Sequence, residues 1–201
     1  MDRLHSIVVI AAVALVASAC SESESKNATS SGRVNAAESN KAAPKPVTET
    51  PKQFCDVHRT GADAPEFSLP PLDSPPPAPS KTWRWVNVWA TWCKPCVEEI
   101  PLLLGWQKQL QKRGGDIELV LVSVDDSRET IDAFRKKHGA IPDTLRTEDP
   151  EAVGPWLAGL GLDEGAPLPV HIFVAPSGKI RCLRAAAVDD NDFAAVAGLI
   201  D

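Results

Sequence analysis

Apolar positions along this chain fall into short blocks whose spacing changes from one block to the next. Trp83–Trp89 is dense in aromatic and β-branched residues, the composition of a strand buried in a sheet. A helix is expected from the cysteine pair at 93 and 96 to about residue 113, ended by Gly114 and Gly115. Residues 117–124 form a continuous apolar run, read as a second buried strand closed by Asp125 and Asp126. The stretch from Asp126 to Glu129 has a helix-start capping arrangement, after which Ile131 and Phe134 share a face. Asp149 before Pro150 marks another helix start, because proline is tolerated at the first helical position. Residues 170–175 and 179–185 read as strands joined through Pro176, Ser177 and Gly178 in a hairpin. Phe193, Val196, Ala197 and Ile200 then recur at helical spacing as a core-facing stripe.

The predicted order is strand, helix, strand, helix, helix, hairpin, helix. Two strands linked through a helix imply a parallel pair with a right-handed crossover. The hairpin adds antiparallel strands, so the expected class is α/β with a mixed central sheet and helices on both faces, the thioredoxin arrangement. Residues 57–201 are the size of one domain, entered through a proline-rich, turn-rich stretch at 70–79.

The beginning of the chain has a different character. Residues 7–19 are apolar or small, too short a run for the roughly 20 residues a spanning helix needs. The run has the length of a signal-peptide core, giving an expected signal peptide at 1–19. Val-Ala-Ser-Ala-Cys20 resembles a bacterial lipobox, which implies a lipidated Cys20 as the new N-terminus; an ordinary signal peptide with Cys20 incidental is the alternative. Residues 20–56 are then the lipidated cysteine and a flexible tether, since a segment with almost no large apolar side chain cannot offset its ordering entropy.

Charge removes some function classes. Lys and Arg number 21 against 27 Asp and Glu, a net charge of −6 without basic clusters, so nothing argues for nucleic acid. The four histidines, His5, His58, His138 and His171, are scattered, and no second close Cys or His pair completes a zinc site with Cys93 and Cys96. Neither a metal nor a cofactor is expected. A structural bridge across two intervening residues would close almost no loop and stabilise little. Dithiol–disulfide exchange is the chemistry that fits.

The location of the pair supports it. Where a strand hands over to a helix, Cys93 can be exposed while Cys96 is covered by the first turn. Unpaired backbone N–H groups and the helix dipole favour a thiolate there, and Lys94 adds positive charge if it stays near the sulfur. Trp89 and Trp92 flank the pair, Trp92 as a surface residue and Trp89 either there or in the core.

Asn87-Val-Trp-Ala-Thr-Trp-Cys93-Lys-Pro-Cys96-Val-Glu-Glu-Ile-Pro101 closely resembles the TlpA-like disulfide reductases of the thioredoxin superfamily. Ala64-Pro65-Glu-Phe-Ser-Leu-Pro70 and Pro169-Val-His-Ile-Phe-Val-Ala-Pro-Ser-Gly-Lys-Ile180 extend the likeness. The resemblance implies Cys93 as the attacking thiol and Cys96 as the resolving one. It implies that Pro169 is the superfamily's cis-proline, placing the Leu168–Pro169 backbone beside the sulfurs to pair with a substrate peptide. Pro167 is the rival for that place. With them, Trp92, Lys94 and Pro95 would meet substrate. Glu99 falls where the family often keeps an acidic residue, either relaying the proton of Cys96 or solvated on the helix surface like Glu98. Pro101 lies inside the expected helix, where it should kink it.

Cys55 and Cys182 are left over, and an oxidising compartment disfavours unpaired thiols. A Cys55–Cys182 disulfide tying the domain entry to the hairpin is one solution; a second redox pair is another. The expected function is that of an extracytoplasmic reductase of protein disulfides, on the periplasmic side of a bacterial membrane and held there by lipid, drawing on a membrane dithiol donor. A peroxiredoxin-like thiol peroxidase and a non-catalytic binding module are the alternatives. One client the resemblance implies is the Cys-x-x-Cys-His segment of an apocytochrome c. The cytochrome-maturation members often carry Gly-Val-x-Gly-x-Pro before the cis-proline, and residues 161–169 here depart from it.

Overall fold

The computed structural model describes residues 50–139 and 141–201; the expected signal segment, Cys20 and the tether up to residue 49 lie outside the described residues. Short 3-10 turns at Pro150–Ala152 and Asp190–Asp192 lead into two of the helices. The helices and strands are α1 (Pro51–Phe54), β1 (Val57–His58), β2 (Trp83–Trp89), α2 (Lys94–Lys112), β3 (Ile117–Ser123), α3 (Arg128–His138), β4 (Leu145–Arg146), α4 (Val153–Leu160), β5 (Val170–Val174), β6 (Ile180–Arg184) and α5 (Phe193–Ile200).

Six strands form one mixed sheet in the order β1-β6-β5-β2-β3-β4. β2 and β3 pair in parallel from Trp83 opposite Ile117 to Trp89 opposite Ser123, joined by α2 as the hydrophobic pattern predicts. β4 extends that parallel half, while β5, β6 and β1 are added antiparallel. β2 and β5 are central strands with cover on both faces, which is why they read as continuous apolar runs rather than alternating ones.

Alternate residues nevertheless serve different layers. Trp85, Phe173, Cys182 and Ile117 face Leu103, Trp106 and Leu110 of α2 and Ala195, Val196 and Leu199 of α5. Val86, Val88, Val122, Ile172 and Leu183 pack with Val153, Leu157 and Leu160 of α4 on the other face. A third cluster joins Trp89, Ala90, Leu121 and Ile141 to Cys93, Cys96 and Ile100, with Phe134 of α3 against it.

Several boundaries differ from expectation. Ahead of residue 57, Pro51–Phe54 is a helical turn, Phe54 is buried edge-on against Phe173, and Cys55 is buried too. One large aromatic residue was enough to bring the end of the polar stretch into the core. α1, β1 and β4 were not foreseen, being too short to display any period. The cap of α3 is Ser127 and not Asp126, because the Ser127 hydroxyl accepts the Thr130 N–H. Nearby, Glu129 is held below the usual carboxylate range by its own backbone N–H and then by the Ser127 hydroxyl. Asp149 does cap the turn at Pro150, its carboxylate accepting the Glu151 N–H. α2 runs through Pro101.

Candidate active site

The β2–α2 turn carries the cysteine pair. Asp125, buried at the end of β3, accepts the Thr91 N–H at 3.0 Å, the Thr91 hydroxyl at 2.7 Å and the Ser123 hydroxyl at 2.7 Å. These bonds pin the 90–92 turn to the sheet just before Cys93. Cys93 is the N-cap of α2, with its carbonyl taking the Val97 N–H and its own N–H bonded to Ala90. Pro95 sits in the first turn, where a missing N–H costs nothing.

Cys93 and Cys96 are disulfide-bonded, with Cα atoms 5.3 Å apart. Cys96 is 0% exposed, and Cys93 is only 5% exposed, more covered than the turn position suggested. The reason is packing: both sulfurs belong to the cluster of Trp89, Ala90 and Ile100, and Leu168 closes against it. Trp92, by contrast, is 69% exposed beside them. Trp89 is core, its indole N–H donating to Thr144 Oγ1 at 3.0 Å. The Leu168–Pro169 bond is cis, and Pro167 is not part of it. Pro169 is buried at the start of β5.

Lys94 does not lend its charge to the sulfur alone. Its Nζ lies 3.6 Å from Glu98 Oε1, both side chains well exposed, an i,i+4 pair of the kind that contributes a few tenths of a kcal/mol. Glu98 is the solvated acid of the pair. Glu99, one helical turn beyond Cys96, is 4% exposed and points inward. Its Oε1 accepts from Asn87 Nδ2 at 2.9 Å, and its Oε2 accepts from the Val188 N–H at 2.9 Å. His171 Nε2 stands 3.4 Å from Oε1. The solvated reading of Glu99 is therefore wrong. Glu99 also lines a cavity of about 260 Å³ between the start of α2 and residues 187–190.

Two of these neighbours were missed from sequence. Asn87 and His171 are polar residues inside otherwise apolar strands, and that is the available signal. Cys55 and Cys182 lie elsewhere, in the cluster under α5, and are disulfide-bonded to each other with Cα atoms 5.4 Å apart. Among the described residues no group of three or more His, Cys, Asp or Glu could hold a metal ion.

The profile of the AhpC/TSA family matches residues 60–182, more than half of the chain, with Cys93, Cys96, Glu99 and Pro169 inside the match. The chain belongs to the AhpC/TSA family. Among curated relatives, thiol-disulfide oxidoreductase ResA of Bacillus subtilis is 27% identical over 96 residues, covering 48% of this chain and 49% of ResA. ResA of Oceanobacillus iheyensis is 24% identical over 132 residues, covering 62% and 64%. This AhpC/TSA member thus spans from about half to just under two thirds of the length of these relatives. Among solved structures, a secreted thiol-disulfide isomerase from Corynebacterium glutamicum has a TM-score of 0.52 at 20% identity, covering 72% of this chain and 92% of that one. A putative thiol:disulfide interchange protein DsbE from Chlorobium tepidum gives 0.51 at 20%, covering 72% and 96%. At such identities the likeness is one of fold, and it is the thioredoxin-like fold that the element order predicts.

Proposed function

We propose that this protein is an extracytoplasmic thiol–disulfide oxidoreductase that reduces protein disulfides through Cys93 and Cys96. The observation that carries the reading is the placement of the pair: a disulfide at the leading end of a 19-residue helix, with Cys93 at the N-cap and 5% exposed and Cys96 fully buried in the first turn. In the reduced protein the free N–H groups of the first turn favour a Cys93 thiolate. That thiolate attacks a substrate disulfide and forms a mixed disulfide; Cys96 then attacks Cys93 Sγ and releases the reduced substrate. Cys96 must lose a proton to do so, and Glu99 is the buried carboxylate one turn away that receives it.

Trp92, Lys94, Pro95, Leu168 and Pro169 form the substrate-facing rim in this reading. The exposed indole supports an apolar contact with a client chain, and Leu168 supports closeness of the 168–169 backbone to the sulfurs. The Cys55–Cys182 bond is a structural staple. The lipobox-like Cys20 supports a lipid anchor on the periplasmic side of a membrane, with reducing equivalents from a membrane dithiol donor. Apocytochrome c is a candidate client, supported by likeness to the TlpA-like branch.

Insulin reduction in the presence of a dithiol donor tests the activity. Cys93→Ser should abolish it, and turnover by that variant at the parent rate would end the proposal. Peroxide consumption faster than disulfide reduction would instead make the protein a thiol peroxidase.

A further inference from the structure

His171 is 0% exposed, yet it is a polar residue two positions beyond Pro169 in a strand of Val, Ile and Phe. Its ring nitrogens have different fates. Trp85 Nε1 lies 3.1 Å from His171 Nδ1, and an indole N–H can only donate. Asn87 Nδ2 also sits 3.4 Å from Nδ1. Nδ1 must therefore keep its lone pair, so the ring proton resides on Nε2. That Nε2 has no hydrogen-bond partner among the described residues, although it stands 3.4 Å from Glu99 Oε1. A buried N–H left without a full bond is costly and calls for a reason.

The groups around Glu99 are donors: Asn87 Nδ2, the Val188 N–H and the Nε2–H of His171. We infer that His171 is a positioning residue for the resolving half of the exchange. Its tautomer, set by Trp85, sets the positive end of the Nε2–H dipole 3.4 Å from Glu99 Oε1, and that field, without a full hydrogen bond, orients the carboxylate to take the proton of Cys96. This deepens the proposed function and rests on the role of Glu99 given there. The step balances as follows. Cys96 thiol transfers its proton to Glu99; Cys96 thiolate attacks Cys93 Sγ; the Cys93–substrate S–S bond breaks as the Cys93–Cys96 bond forms. The substrate leaves as thiolate, having accepted two electrons from the dithiol in all, and the proton on Glu99 passes to solvent through the cavity beside residues 187–190.

Ellman's reagent separates the two halves on the reduced full chain. Its first thiolate reports attack by Cys93, and its second reports resolution by Cys96. His171→Leu should slow the second release by about tenfold or more and the first by less than about twofold, whereas His171→Gln, which keeps a side-chain N–H, should recover most of the loss. A second release unchanged in His171→Leu, or equally slow in both variants, would overturn the assignment. Glu99→Gln is the control for the underlying reading: an unchanged second release there removes the role of Glu99 and this inference with it. If Glu99→Gln is slow and His171→Leu is normal, only the inference fails. Nitrogen-15 spectra of the unmodified protein supply a test that needs no variant to fold. The His171 ring should show protonated Nε2 and bare Nδ1, and the reverse pattern would sink it.

Discussion

Asn87 and His171 stand opposite each other across the β2–β5 ladder, and each sets a nitrogen against Oε1 of Glu99, at 2.9 Å and 3.4 Å respectively. Neither belongs to α2, the helix that carries Cys96 and Glu99. The sheet thus holds the carboxyl of the helix, and the register of β5 against β2 becomes part of the site. A slip of β5 by one residue would turn His171 to the α4 face, away from Glu99.

Removing that carboxyl should cost stability as well as turnover. Glu99→Ala leaves Asn87 Nδ2 and the Val188 N–H buried without their acceptor. Two such losses are expected to total about 2–4 kcal/mol, measured as a shift in the urea midpoint. Glu99→Gln, which keeps an acceptor oxygen, should lose less. Equal midpoints for Glu99→Ala and the parent would show that the carboxyl is not held as described.

Cys96→Ser should arrest exchange after the first step. The variant is expected to accumulate mixed disulfides with client proteins through Cys93, visible as bands that vanish on reduction, while Cys93→Ser forms none. Mass mapping that placed the trapped bond on another cysteine would reassign the attacking thiol.

Trp92→Ala should discriminate between substrates by size. A large exposed aromatic contributes to binding a protein partner, so kcat/KM toward insulin is expected to fall by about tenfold. Reaction with Ellman's reagent should stay near the parent rate. A parallel loss on both would mean that the indole supports the turn and not the client.

Cys55 and Cys182 close a long loop, at a sequence separation of 127. Replacing both with Ser should remove about 2–5 kcal/mol of stability, read from calorimetric Tm, and leave exchange at Cys93 intact at temperatures where the domain is folded. Loss of exchange in the folded double variant would favour a second redox pair.

Asp73 gives a pH dependence whose sign can be worked out. Burial disfavours its charge, but hydrogen bonds from Arg128 and Arg146, the latter at 2.8 Å, prevail and hold its carboxyl below the usual range. The stabilisation is fully present above the unfolded value of about 3.9 and is lost as pH falls through the lower folded value. Asp73→Asn should therefore cost on the order of 1 kcal/mol at pH 7 and far less near pH 2, as seen in paired Tm measurements. A constant difference across that window would assign the loss to packing.

How much could be read in advance varied with the range of the interaction. β2, α2, β3 and the β5–β6 hairpin were plain because apolar spacing and turn residues are local signals. The cysteine pair was plain for the same reason. The direction of Glu99 was not, because helix periodicity places it between faces and its partners lie on two strands and on Val188. Lys94 also pairs with Glu98, four residues along its own helix. The cap of α3 is Ser127, one place after Asp126, with its hydroxyl accepting the Thr130 N–H. Phe54 shows how a single residue outside any recognisable pattern can be buried in the core.

The bond between Cys55 and Cys182 also alters how the molecule carries mechanical load. Tension applied to the backbone ahead of Cys55 would otherwise fall on β1, a two-residue edge strand that can be unzipped one rung at a time. Through the sulfur bridge it passes directly into β6, which is clamped between β1 and β5. The pull then enters a strand paired on both sides, two strands away in the sheet from β2, whose end carries the Cys93 turn.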